Sequence, residues 1–164
     1  MKIFINDEEL DFTLENEKTC GDILNQLEIE FEKNNGTIFS IKINDKEIGA
    51  EEIETISAKP IEEIENINII SIFASDIIQT FKTLCPKIEE INKDFEDLPI
   101  YLQGTNQGKI PGILTKFADI FDNLCHVISL TPLFPETFNN IKIDDKNFSD
   151  FIKEFSPFLV DFEN

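Results

Sequence analysis

The hydrophobic period changes near Phe73. Before it, apolar side chains alternate with polar ones over short runs; after it, they recur every three or four residues over long ones. Period two buries one face of a strand, and a period near 3.5 buries a stripe along a helix. The chain is therefore expected to be α+β, with a strand-rich domain over 1–72 and a helical domain over 73–164. At 164 residues, a chain buries roughly 70% of its unfolded surface and needs no staples to hold a core.

Within 1–72, Lys2-Ile3-Phe4-Ile5-Asn6 reads as a strand. Asp7-Glu8-Glu9 reads as a turn, and Leu10, Phe12 and Leu14 as the buried side of a second strand. Thr19 and Asp22 are spaced as a capping box. Ile23, Leu24, Leu27 and Phe31 then share one helical face, which Asn35-Gly36 is expected to end. Thr37–Asn44 alternates with Phe39, Ile41 and Ile43 on one side. A turn at Asn44-Asp45-Lys46 leads to a short strand near Ile48. Residues 50–66 read as irregular, with a helical turn after Pro60. Ile67–Ile72 is apolar enough to lie centrally in a sheet.

From Phe73 onward, Ile77, Phe81, Leu84, Ile88, Ile91, Phe95 and Leu98 are spaced as a heptad seam. Pro86 is expected to kink or split that helix. Gly104–Gly108 reads as a helix-hairpin turn. A second helix carries Ile113, Phe117, Ile120, Leu124 and Val127, with Leu114, Phe121 and Ile128 as a further stripe. Residues 131–145, with Pro132 and Pro135, read as a long connection. Asp144 or Asp145 caps a third helix lined by Phe148, Phe151, Phe155, Phe158 and Phe162 and bent late by Pro157. The expected architecture of 73–164 is an antiparallel three-helix bundle.

The order over 1–72 is strand, strand, helix, strand, short strand, irregular turn, strand. With Met1–Ile5, Asp11–Glu15 and Ile67–Ile70, it resembles the ubiquitin-like β-grasp. The resemblance covers under half the chain and implies a fold more than a function. Conjugated modifiers and sulfur carriers of that superfamily end in Gly-Gly; here Ile72 runs on into Phe73-Ala74-Ser75 and the chain ends Phe162-Glu163-Asn164. Its ferredoxins need clustered cysteines. Ubiquitin's apolar patch is mostly not carried over: its central isoleucine falls on Lys42, its first-hairpin leucine near Glu8, and its last-strand valine on Ile70. The implied role is a scaffold or interaction module.

Charge narrows the partners. There are 33 Asp+Glu against 14 lysines and no arginine, net −19. Residues 1–72 carry 18 acids and six lysines, net −12. Such a surface repels nucleic-acid phosphates and anionic membranes, and the bidentate forks that arginine supplies are absent. It suits a basic protein partner. Cys20, Cys85 and Cys125 are odd in number and widely spaced, which fits reduced thiols in the cytoplasm rather than a disulfide framework or metal site. Met1 opens directly on a strand-like run, so no secretory leader is expected.

No motif carries a reaction. Gly104–Ile110 resembles a phosphate loop, but its spacing is one residue short and Ile110 replaces the magnesium-binding hydroxyl. His126 is the sole histidine and adjoins Cys125, and neighbours one apart on a helix do not converge. The acids from Asp144 to Asp150 miss the calcium-loop pattern, with Asp150 at the glycine position and Ser156 at the bidentate glutamate. The expectation is a non-enzymatic adaptor without cofactor or metal. The alternatives are an acidic chaperone for export substrates, or a small enzyme or ligand-binding protein with an unrecognised site. Three partner-binding residues follow from periodicity. Phe4 points away from the helix if Ile3 and Ile5 face it, with Ile70 on the adjoining strand. Ile29 lies opposite the core side of the first helix, between Glu28 and Glu30. The bundle or a partner covers Phe4 and Ile70, and the 77–98 seam packs within the chain or forms a homodimer.

Overall fold

The structure, a computed structural model, describes residues 1–13, 16–104 and 107–154. It is α+β: a five-stranded sheet is followed by a helical region, and the chain divides into two compact units, the second beginning at Ala74.

The first unit runs β1 (Lys2–Ile5), β2 (Glu8–Leu10), α1 (Cys20–Lys33), β3 (Gly36–Ile43), β4 (Lys46–Glu47), α2 (Ile53–Ser57) and β5 (Asn66–Phe73). The sheet order is β2-β1-β5-β3-β4. β5 pairs parallel with β1 and antiparallel with β3, so the most apolar strand is central. Its alternate residues Ile67 and Ile69 meet Ile3, Ile41 and Ile43 on one face, and α1 covers that face with Ile23, Leu24, Leu27 and Phe31. Each such burial contributes roughly 1.5–3 kcal/mol. Thr19 caps α1 reciprocally: its Oγ1 accepts from the Asp22 N–H at 3.2 Å, and the Thr19 N–H donates to Asp22 at 2.9 Å. The backbone N–H groups of Lys18 and Thr19 hold the Asp22 carboxyl below the usual carboxylate range.

Three expectations for this unit need correction. β2 spans Glu8–Leu10, not Leu10 to Leu14, and its turn is Asn6-Asp7 with φ of 50° and 68°. Phe12 still packs on the core, so the alternation outlasts the ladder; Leu14 lies outside the described residues. Asn35-Gly36 ends α1 as expected, with Asn35 as the left-handed residue (φ 54°). Gly36 is also required by Phe73: a Cβ there would meet that ring at 2.4 Å, and the ring stands edge-on to Phe31 at 5.7 Å. Phe39 does not join Ile41 and Ile43, because the β3–β5 register shifts between Ile38 and Ser40. This bulge inserts one residue, so Ile38 packs on the core and Phe39 is 56% exposed. Finally, the stretch read as irregular contains α2, which buries Ile56. The helical turn after Pro60 is present at Ile61–Glu63.

The second unit contains α3 (Ala74–Gln103), α4 (Ile110–Leu130), α5 (Pro135–Phe138), β6 (Lys142–Ile143) and β7 (Lys146–Asn147); residues 148–154 are helical. α3 passes unsplit through Pro86 and Pro99. α3 packs on α4, with Phe95 against Phe117 at 5.3 Å and Lys116 Nζ 3.1 Å from Glu90. The proline-rich connection is more ordered than its composition suggests: α5 buries Phe138, which sits 6.1 Å from Phe148. Asp144 and Asp145 do not cap a helix. They form the left-handed turn (φ 48° and 67°) of the β6–β7 hairpin. Phe148 is buried where the following helical stretch starts; Phe155, Pro157, Phe158 and Phe162 lie outside the described residues.

Candidate interaction surfaces

The pairing of β1, β5 and β3 decides which side chains share the face opposite α1. Phe4 stands across from Asn68 on one side and Glu9 on the other. Ser40 stands across from Ile70, and Lys42 from Asn68. Opposed residues share a face, so Phe4, Ile70, Ser40 and Lys42 all lie on the outer face, with Ile70 one diagonal step from Phe4. Ile70 is 44% exposed, and Phe4 is half-buried beneath Lys2, whose Nζ lies 5.9 Å from the ring centre. Phe39, at the bulge beside Ser40, adds an exposed aromatic next to Ile70. Periodicity missed Phe39, since an unbroken alternation places it inward. The one signal was Ile38, an apolar residue out of phase with Ile41 and Ile43.

Ile29 lies elsewhere. It is 54% exposed on α1, and α1 covers the other face of the sheet. Phe4 and Ile70 are thus brought onto one face and Ile29 is separated from them by the sheet and the helix. Ile29 belongs instead to an open groove of about 430 Å³ between α1 and the β1–β2 hairpin, lined mainly by Ile5, Leu10, Phe12, Leu27, Ile29 and Phe31.

The second unit offers an open groove of about 280 Å³ along α3 and α4, where Lys87, Lys116, Glu90 and Asp119 frame Ile91 and Ile120. The Glu90 carboxylate beside Lys116 raises the ammonium's pKa further, which keeps it a fixed cation. The heptad positions Ile77, Leu84 and Ile91 are buried, and Phe81, Ile88, Phe95 and Leu98 half-buried. His126 is exposed on α4, and its carbonyl accepts from Ser129 Oγ at 2.7 Å. Cys20 is buried at the start of α1, and burial pushes its thiol up. Among the described residues, no three His, Cys, Asp or Glu side chains are grouped to hold a metal ion. None of the described helices is long and apolar enough to cross a membrane.

Comparison with known proteins sets the first unit apart. Residues 1–72 match the family described as the TP0873 N-terminal domain. The chain is also similar to an uncharacterized protein of Treponema pallidum (strain Nichols), at 21% identity over 159 residues, covering 97% of this chain and 79% of that protein. No solved structure matches the chain.

Proposed function

We propose that this chain is a non-enzymatic adaptor of the cytoplasm whose first unit is a ubiquitin-like β-grasp used for protein recognition. The strand order β2-β1-β5-β3-β4, the parallel β1–β5 pair and the single long helix on one face support that fold. The second unit is read as an antiparallel three-helix bundle, from α3, α4 and the helical stretch that starts at residue 148. The reading rests on one observation: exposed Ile70 and Phe39 are neighbours at the β3 bulge, with Phe4 one diagonal step away and half-buried Ile72 next along β5, on a face that also carries Lys2, Asn66, Asn68, Ser40, Lys42 and Glu9. A small apolar patch with a polar rim is the anatomy of a protein contact. The surplus of 33 acids over 14 lysines favours a basic partner.

The test compares wild-type chain with a Phe39→Lys, Ile70→Lys double variant as bait, after thermal melts show both folded. A discrete basic protein retained by the wild type and lost by the variant is the expected result. Identical retention by both baits overturns the assignment of this patch.

A further inference from the structure

The groove beside Ile29 has a feature the outer face lacks, an open strand edge. β2 is the terminal strand and, among the described residues, pairs only with β1. Its pairs are Ile5↔Glu8, Phe4↔Glu9 and Ile3↔Leu10, and the connecting turn has two residues. In such a hairpin the pair flanking the turn exchanges hydrogen bonds and the next pair does not. The backbone N–H and C=O of Glu9 therefore point away from β1, along the open edge. Leu10 and Phe12 continue from this edge into the groove, whose far wall is Leu27, Ile29 and Phe31 of α1. Backbone donors and acceptors and an apolar slot for alternate side chains thus lie side by side.

Charge selects what fits. Exposed β-edges in proteins are commonly guarded by lysine. This edge instead carries Glu8 and Glu9, with Asp11 following. Across the groove, the α1 wall carries Glu30 and Lys33, paired at 2.9 Å, beside exposed Ile29, so the surplus acids are those of the strand edge. A second copy of the chain would set Glu8 and Glu9 against their equivalents, and like charges across a strand pair are destabilising. A strand carrying lysine or arginine between apolar residues gains where the copy loses.

We propose that the β2 edge and the β2–α1 groove bind an extended basic segment of a partner protein as an added strand, with its apolar side chains in the groove. This site is on a different face from the Phe39–Ile70 patch and stands independently of it. The added strand hydrogen-bonds to Glu9 by main-chain groups, and its basic side chains, alternating onto the opposite face, meet Glu9 and Asp11.

The probe is a synthetic peptide alternating valine and lysine, titrated into the full chain and followed by calorimetry and backbone amide NMR. Two controls are the same peptide N-methylated at alternate residues and one alternating valine and glutamate. The valine–lysine peptide is expected to saturate, to shift the Glu9, Leu10 and Ile29 resonances, and to slow exchange of the Glu9 amide. Both controls should lose this binding. Ile29→Lys should weaken it about tenfold, equivalent to about 1.4 kcal/mol, as should the exposed pair Glu9→Lys, Asp11→Lys, whereas Phe39→Lys should not. The proposal is overturned if the N-methylated peptide binds as well, if Glu9 exchange is unchanged, or if both groove variants bind like wild type.

Discussion

Asn6 and Asn44 perform the same task at the two ends of β5. Each is the first residue of a two-residue turn with positive φ, a conformation asparagine tolerates better than most residues. Each also spends its side chain on the central strand. Asn6 Oδ1 accepts from the Ser71 N–H at 2.9 Å, and its Nδ2 donates to Ser71 Oγ at 3.1 Å. Asn44 Oδ1 accepts from the N–H groups of Glu65 and Asn66 at 2.8 and 3.2 Å, and its Nδ2 donates to the Glu63 carbonyl at 3.1 Å. The turns thereby fasten β5 where it enters and leaves the sheet. Asn44→Ala strands these partners and imposes left-handed strain, so a loss of about 1–3 kcal/mol is expected in urea unfolding. Asn44→Gly removes the bonds but accepts the φ, so its loss should be smaller yet clear. A glycine variant as stable as wild type would show that the backbone conformation alone accounts for the asparagine.

At the scale of elements, legibility followed the length of the pattern. α1 was readable because a reciprocal cap and four apolar positions agree on one phase, and that phase also placed Ile29 outside. β5 was readable because an apolar run of strand length suits a central position. The misses lie where one residue changes the rule. The bulge at Phe39 inverts the alternation of β3 and hides half of the outer patch from a period-two reading. Gly36 reads as part of a helix stop, and its second task, leaving room for a ring thirty-seven positions away, has no local signal. The two-residue turn repeats as Ile5-Asn6-Asp7-Glu8, Ile43-Asn44-Asp45-Lys46 and Ile143-Asp144-Asp145-Lys146, and the third copy is hidden in a proline-rich stretch. The edge at β2 was invisible because strand order is not a local property. Pro86 shows the converse, a local rule overridden by packing: α3 continues through it, flanked by buried Leu84 and Ile91. Proline there still lacks an N–H for the preceding turn. Pro86→Ala at this exposed position is expected to stabilise the chain by up to about 3 kcal/mol in denaturant unfolding. A lower midpoint would mean that the tertiary packing depends on the local geometry proline imposes.

For the whole molecule, charge is the dominant long-range term. Ion pairs such as Lys2–Glu9, Lys33–Glu30 and Lys116–Glu90 are exposed at both ends, and exposed pairs are worth about 0–1 kcal/mol each. Among the described residues such pairs involve a minority of the 33 acids, and 14 lysines leave at least 19 carboxylates without a lysine of their own. Self-repulsion of this kind opposes the compact state and is weakened by salt. Screening reaches about 10 Å at 0.1 M ionic strength, so the effect belongs to the low-salt range, before salting-out effects enter. The melting temperature is therefore expected to rise as sodium chloride goes from about 10 to about 200 mM, and sodium and potassium salts should act alike. A fall over that range would mean that the ion pairs outweigh the repulsion. The same surplus should make binding of a valine–lysine peptide weaken steeply over that interval. Stability and affinity would then move in opposite directions on one salt axis, a signature that a neutral chain with the same folds would not give.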